Sequence, residues 1–532
     1  MNRPKFYIYL PIVFALLLMA GIYIGSTFRT NQPGVVTMDA TNPYSKVEGL
    51  MHYIQEQYVD SVDMNALSDK IIAQTLQNLD PHSSYISAAE LQDALDPLEG
   101  KFSGVGIQFS IIDDTLCVIA VIGGGPAEKM GVLAGDKIIK AAGKNLAGVG
   151  ATNRDVTTTL KGEAGSKVKI TVKRTGQKKL IPFTITRGEI PIHSIDLSKM
   201  LNDSIGYIKL ARFARTSHDE FVDALKKLNK KGMKALVLDL RGNGGGLLTA
   251  ANKLCDELLE EGMQIAYTEG KSSPREDYVA TKKGRFKTQP LVILIDGNSA
   301  SASEIMAGAV QDNDRGTIIG RRSFGKGLVQ EQSQFEDGSA LRLTKARYYT
   351  PTGRCIQRTY ENGAEDYYNE AYNRSVTGEL ETADSIKVVD SLVFTTPKGK
   401  KVYGGGGIVP DVFVPVDTGS VSLFLSQVVA MGYLNEFAFS YTNRHRKTLK
   451  AFKNADLFNE QFTLSEALLQ EFYTYCSSKG IEREKVHTAG NDDLLAHHLK
   501  ALIARNMWNA YGYYTVMQSK DKMLKAALLQ LQ

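Results

Sequence analysis

A serine-rich turn after an apolar strand is the strongest candidate for chemistry in the sequence. Leu291 to Ile295 is an uninterrupted apolar run, and Asp296-Gly297-Asn298 makes a turn after it. Ser299-Ala300-Ser301-Ala302-Ser303-Glu304 then leads into an apolar helix. Ser301 and Glu304 have the spacing of a capping box, which is an ordinary way to begin a helix. Ser301 is therefore either a helix cap or a nucleophile.

A lysine between two glycines could supply the base that such a nucleophile needs. It lies in Ser323-Phe324-Gly325-Lys326-Gly327-Leu328-Val329-Gln330, after the predicted strand Thr317 to Gly320. The glycines allow close approach to neighbouring backbone, and a desolvated lysine has a lowered pKa and can take a proton from a hydroxyl. Gln330 could hold the amine in position. An exposed loop lysine is the alternative, but no histidine in the sequence suggests a Ser-His-Asp set.

A glycine-rich loop is the third candidate element. In Asp239-Leu240-Arg241-Gly242-Asn243-Gly244-Gly245-Gly246-Leu247 a strand ends in glycines and leads into a helix. The backbone N–H groups of such a loop can bind a phosphate or an oxyanion. The loop lacks the Gly-Lys-Ser/Thr of a nucleotide loop and the spacing of a dinucleotide loop. An oxyanion hole fits better, with Gly245 or Gly246 as one donor and the N–H of Ala302 as the other.

Hydrophobic periodicity predicts an α+β multidomain protein around these elements. Leu79 to Tyr85 is interpreted as a turn and helix start that carries one ordinary histidine, His82. The polar stretch from Glu361 to Ser391 is expected to run over the surface. The predicted units are a membrane anchor or signal (1–29), a linker (30–43), a helical region (44–100), a β-rich module (101–190), an α/β core (191–416) and a helical C-terminal region (417–532).

The N-terminal residues predict export. Arg3 and Lys5 precede an uncharged apolar stretch from Phe6 to Phe28. At 1.5 Å per residue, a helix of that length crosses a hydrocarbon core of roughly 30 Å. A cleaved signal and a buried globular helix are the alternatives. The positive-inside rule would place everything after Arg29 outside the cytoplasm.

Composition excludes several classes of function. A net charge of +5 over 532 residues gives no argument for binding nucleic acid. The four cysteines lie far apart, so they predict neither a disulfide framework nor a zinc site. No metal and no cofactor is expected.

Five separated motifs resemble those of the C-terminal processing peptidases, also called tail-specific proteases. They are the serine turn, the lysine segment, the glycine loop, Tyr349-Thr350-Pro351-Thr352-Gly353-Arg354 and Gly404 to Asp411, and Leu79 to Tyr85 is similar as well. The resemblance implies a serine endopeptidase in which Ser301 is the nucleophile, Lys326 the base and Gln330 its orienter. Asp312 matches an acidic position that supports the site in some members.

The β-rich module resembles a PDZ domain. Gly104-Val105-Gly106-Ile107 matches the carboxylate-binding loop, whose N–H groups bind a terminal carboxylate while the peptide adds to the sheet edge. Lys161 stands where family members often have an arginine, which puts arginine-dependent coupling to the protease in doubt.

The resemblance also implies where the protein acts and on what. The expected partners are protein substrates bound by their C-terminal tails, and a homo-oligomer is left open. The expected location is the bacterial cell envelope, with an inner-membrane anchor and a periplasmic catalytic part, or secretion after signal cleavage. A catalytically silent PDZ scaffold and an enzyme acting on activated esters or small peptides are the rival functions.

Overall fold

The computed structural model describes residues 9–27, 42, 44–416, 423–482 and 489–532. The chain forms two compact units, residues 1–75 and 76–532. The first contains α1 (Leu10–Thr27), α2 (Ser45–Gln57) and most of α3 (Met64–Gln77). Across these described ranges, no helix has both the length and the apolar character that crossing a bilayer requires. Asn42 is the only residue of the predicted linker (30–43) that the structure describes.

A short strand and a helix lie near the beginning of the second unit. Strand β1 (Ser84–Ile86) pairs with a distant strand of the α/β core, and α4 (Ala88–Glu99) follows it. The predicted turn in Leu79 to Tyr85 is present, but the predicted helix start is not, because residues 84–86 form a paired strand and α4 begins only at Ala88. Strand β2 (Lys101–Gly104) pairs with β9 (Gly188–Pro191), and this pair joins the beginning and the end of the β-rich module.

The β-rich module is one antiparallel sheet around a small apolar core. Its strands lie in the order β3-β4-β5-β7-β8, with β6 beside β5, so β3 is an edge strand. Val118, Ile138 and Val172 are fully buried in its core. The elements are β3 (Ile107–Ile112), β4 (Thr115–Val121), α5 (Pro126–Lys129), β5 (Lys137–Ala141), β6 (Lys144–Asn145), α6 (Asn153–Leu160), β7 (Lys167–Lys173) and β8 (Ile181–Thr186).

The α/β core contains two larger sheets and a two-stranded sheet formed by β19 and β20. Its elements are β10 (Ile195–Met200), β11 (Ile205–Leu210), α7 (Ser217–Lys230), β12 (Ala235–Asp239), α8 (Leu248–Asp256), β13 (Gln264–Gly270), β14 (Ser273–Val279), β15 (Leu291–Ile295), α9 (Ala302–Asp312), β16 (Thr317–Gly320), β17 (Leu328–Gln334), β18 (Ala340–Tyr349), α10 (Ala364–Val376), β19 (Val393–Thr395), β20 (Lys401–Tyr403) and β21 (Val412–Phe413). The first sheet has the order β10-β11-β12-β15-β16-β21, and the second has β1-β18-β13-β14 with β17 beside β18.

The first of these sheets brings the three candidate elements together. Strands β12, β15 and β16 are neighbours and run parallel, with every residue of β12 and β15 buried. The carboxyl ends of parallel strands meet at one edge of a sheet, where ligands usually bind. The glycine loop follows β12, the serine turn follows β15 and the lysine segment follows β16. The order of the strands therefore places the serine turn between the other two.

The C-terminal helices form their own core, but the last helix packs elsewhere. They are α11 (Leu423–Ala430), α12 (Tyr433–Leu449), α13 (Ala455–Gln461), α14 (Glu466–Ser478), α15 (Ala489–Gln518) and α16 (Lys522–Gln530). Phe437, Phe458 and Phe472 are buried in the helical core. Met523 and Leu524 of α16 pack instead against one face of the first α/β sheet. The α16 helix therefore belongs to the α/β core and not to a separate helical unit.

Candidate active site

Ser301 occupies a strained backbone position at the start of α9. Its φ is 55° and its ψ is −114°, and the N–H of Ser303 donates to the carbonyl of Ala300 at 3.1 Å. This is the first central position of a type II′ turn, which glycine normally occupies. A non-glycine residue with such a φ is uncommon, and strain of this kind clusters at functional sites.

Glu304 joins the serine turn to the lysine segment. Its buried carboxylate accepts from the N–H of Ser301 at 2.8 Å and from the N–H of Lys326 at 2.9 Å, through the same oxygen. The other oxygen accepts from the Ser323 hydroxyl at 2.5 Å and the Gly325 N–H at 2.6 Å. Burial raises the pKa of Glu304, while these four hydrogen bonds act in the opposite direction. One side chain thus fixes both candidate catalytic segments.

Lys326 is a partly buried lysine held by Gln330. Its Nζ donates to Gln330 Oε1 at 2.8 Å, and Gln330 Nε2 donates to the backbone carbonyl of His82. Burial lowers the pKa of Lys326 to about 8, and the charge of Arg342 acts in the same direction. At pH 7, about one in ten of such lysines is unprotonated and able to accept a proton.

The glycine loop lies directly against the serine turn. A Cβ on Gly245 would lie 2.7 Å from the Ala300 carbonyl oxygen and 2.9 Å from Ser301 Cβ, and its φ is 101°. Only glycine fits this approach. The Gly245 N–H, however, donates to Asn243 Oδ1 at 2.9 Å, so it reaches an oxyanion only by giving up that bond. Gly246 packs against the carbonyl of Phe213, and Ala302 is the first residue of α9.

Asp312 lies at the opposite end of α9 from Ser301. It forms a fully buried ion pair with Arg354 at 2.6 Å and accepts from the Thr352 hydroxyl at 2.6 Å. The geometry therefore links Asp312 to the Tyr349–Arg354 motif and leaves it out of contact with the lysine and serine side chains.

The predicted peptide-binding loop lies in the β-rich module, where it connects β2 to the edge strand β3. Val105 is buried, Gly106 has a φ of 80°, and their carbonyls accept from Ala127 and Ile122 at 2.9 and 3.0 Å. Lys161 pairs with Asp93 and Asp96 of α4, both at 2.6 Å. Lys161, at the position where the resemblance implies an arginine, thus links the β-rich module to α4.

Two features of the site are not predicted by the sequence patterns. The capping-box spacing indicates only a helix cap at Glu304, whereas this carboxylate also binds the lysine segment. The surroundings of His82 indicate an ordinary loop residue, whereas the carbonyl of His82 accepts from Gln330. Helix α9 is buried on all sides, and Glu304 lies in its first turn. A glutamate in such a helix is a signal that could have indicated the wider role of Glu304.

Comparison with known proteins identifies the family of the chain. The model of peptidase family S41 matches residues 204–365, and a PDZ-domain model matches residues 103–185. A carboxy-terminal-processing protease from Bartonella bacilliformis is 35% identical over 350 residues, which are 64% of this chain and 80% of that protein. The chain belongs to the carboxy-terminal processing proteases of peptidase family S41. It is therefore a serine-type peptidase.

The chain is also similar to two further proteases. Carboxy-terminal processing protease CtpA of Bacillus subtilis is 34% identical over 316 residues, covering 59% of this chain and 67% of that protein. The solved photosystem II D1 C-terminal processing protease is 26% identical, covers 72% of this chain and 89% of that one, and superposes with a TM-score of 0.37. Residues 424–509 match a family of unknown function. The S41 protease thus combines a PDZ domain, a protease core and a helical C-terminal part.

Proposed function

We propose that this S41 protease is a Ser-Lys endopeptidase that cuts extracytoplasmic proteins near their C-termini. The observation that carries the proposal is the Glu304 carboxylate, which binds the backbones of Ser301 and Lys326 through one oxygen. The backbones of Ser301 and Lys326 therefore lie close together, because both donate to the same carboxylate oxygen. If Ser301 were merely a helix cap, the Glu304 carboxylate would have no reason to bind the backbone of Lys326 as well.

The proposed reaction is acyl transfer to water. Lys326 Nζ takes the proton of the Ser301 hydroxyl as its oxygen attacks the peptide carbonyl. The Ala302 N–H, at the positive end of α9, stabilises the resulting oxyanion together with a donor from the Gly245–Gly246 loop. Lys326 then gives its proton to the leaving amine, takes a proton from the water that attacks the acyl-enzyme, and returns it to the Ser301 oxygen as the acid product leaves. Gln330 keeps the amine aimed at the serine throughout.

The PDZ domain is proposed to select substrates by their tails. Strand β3 is at the edge of its sheet, where an extended peptide can add as another strand. The Gly104–Ile107 loop lies at the beginning of that strand and would receive the terminal carboxylate. Binding there increases the local concentration of the tail near the protease core.

The proposed place of action is the bacterial cell envelope. The support is the sequence, in which Arg3 and Lys5 precede the apolar stretch from Phe6 to Phe28. Both an anchor and a cleaved signal would deliver the remaining chain beyond the cytoplasmic membrane. Sequencing the N-terminus of the mature protein distinguishes them, because a start beyond about Arg29 means cleavage.

The dyad is tested by cleavage of an unfolded protein substrate. Ser301→Ala and Lys326→Arg should each remove activity while the thermal midpoint stays near that of the wild type, since guanidinium cannot give up its proton. Ser333→Ala and Lys345→Arg, at exposed positions on β17 and β18, are matched controls that should keep full activity. An active, folded Ser301→Ala protein would refute the assignment.

A further inference from the structure

Helix α10 lies in the stretch that the sequence predicts to run over the surface, yet it is anchored in the protein. Tyr367 and Arg374 are 2% and 5% exposed. The guanidinium of Arg374 donates to the carbonyl of Ser323 at 2.8 Å and to that of Phe324 at 3.2 Å. These carbonyls lie two and three residues before Lys326. The helix therefore holds the beginning of the lysine segment.

The same helix also holds the loop between α3 and β1. The Tyr368 hydroxyl donates to the Pro81 carbonyl at 2.6 Å, and the Tyr367 hydroxyl lies 2.8 Å from His82 Nε2. Burial lowers the pKa of His82 to about 4, so at neutral pH the ring is uncharged and can accept from Tyr367. Asp80 fixes the loop from the other side by accepting from the N–H of His82 at 2.8 Å.

The loop in turn fixes the amide that holds the lysine. The His82 backbone carbonyl accepts from Gln330 Nε2, which leaves Oε1 as the atom that faces Lys326 Nζ at 2.8 Å. An amide bound to a carbonyl through its nitrogen cannot rotate without losing that bond. The orientation of Gln330 therefore depends on where the Pro81–His82 loop lies.

We propose that Tyr367 and Tyr368 of α10 are positioning residues for the catalytic lysine, acting through the Pro81–His82 loop and Gln330. The inference rests on the proposed Ser301–Lys326 dyad and adds a device that controls its base. Neither tyrosine takes part in the chemistry. Their hydroxyls hold a loop whose carbonyl aims Gln330, and Gln330 aims the amine.

The experiment compares the full-length wild type with Tyr367→Phe/Tyr368→Phe, which keeps both rings and removes both hydroxyls. Tyr372→Phe, on an exposed position of the same helix, is the matched control. The measurements are kcat, KM, the pH dependence of kcat/KM and the thermal midpoint. Misplacing a reacting group by about 1 Å can cost up to a hundredfold in rate, so we expect kcat to fall roughly ten- to a hundredfold.

The pH dependence separates a positioning role from a structural one. A lysine released from Gln330 gains access to water, so its pKa should rise and the acid limb of kcat/KM should move to higher pH. The double variant should show that shift with KM and the thermal midpoint little changed, while Tyr372→Phe matches the wild type. Unchanged kinetics would overturn the inference, and so would a lower kcat with the acid limb in its original place. A wild type without Ser301-dependent cleavage would instead refute the proposed function.

Discussion

Lys326 is the residue whose chemistry depends most on its surroundings. Its pKa is lowered to about 8 by burial, so the neutral amine that acts as base predominates only above that pH. We predict that kcat/KM rises with pH up to about 8 and then levels off, since at pH 6 only about 1% of the lysines are neutral. Initial rates on a peptide substrate from pH 6 to 10 give this profile. A rate that is flat from pH 6 to 8 would assign the proton transfer to another group.

Glu304 is the residue that sequence reasoning undervalued most. Its two oxygens accept four hydrogen bonds in a fully buried place. Glutamine offers one oxygen and would turn an N–H₂ towards donors. We predict that Glu304→Gln loses about 2–5 kcal/mol of stability and most of the activity.

Thermal and urea unfolding of Glu304→Gln, with Glu381→Gln at an exposed position as the control, measure this loss. The same stability as the wild type would mean that the carboxylate is protonated or dispensable. Activity measured below the unfolding transition then separates damage to the site from damage to the fold.

At the scale of elements, the sequence predicts local structure better than it predicts contacts. The apolar runs at Ala235–Asp239 and Leu291–Ile295 identify buried strands because continuous apolar runs suit a sheet covered on both faces. The pairing of Ser84–Ile86 with Ala340–Arg342 joins residues about 250 positions apart, and no local pattern encodes it. For this reason, Ser301, Lys326 and Gln330 could be chosen from motifs, whereas the carbonyl of His82 could not.

Helix α16 shows the same limitation. Its helical spacing is clear in the sequence, but no local pattern predicts that Met523 shares a buried cluster with Val237 and Val292 of the first sheet. We predict that Met523→Ala destabilises the protein by about 2–5 kcal/mol, because it leaves a cavity under the protease sheet. Urea unfolding measures the change. Leu529→Ala, at a position that is 72% exposed on the same helix, should change stability by less than about 0.5 kcal/mol.

At the scale of the whole molecule, the recognition of tails and the cutting of peptides are assigned to different domains. We predict that a substrate ending in a free apolar residue is cut faster than its C-terminally amidated twin, because an amide lacks the charge that the Gly104–Ile107 loop would bind. Competition between the two substrates in one reaction, analysed by mass spectrometry, gives the ratio of rates. Equal rates would remove the PDZ domain as the source of specificity.

Gly106→Asp should erase that preference. Its φ of 80° disfavours a side chain, its Cβ would lie 2.9 Å from Ile190 Cδ1, and the added charge repels a carboxylate. Gly176→Asp is the matched control, since its φ is 84° and it has open space around it. Cleavage of a short peptide without a recognised tail should be similar in both variants.

The turn at Ser301 also decides how best to capture a substrate on this protease. The usual inactive variant, Ser301→Ala, keeps a side chain at φ 55° and so keeps the backbone under tension. Ser301→Gly removes the hydroxyl and also relaxes the turn, because glycine adopts this conformation freely. The glycine variant should therefore be the more stable of the two by about 1 kcal/mol. It is the better bait for isolating the proteins that this enzyme processes in the cell.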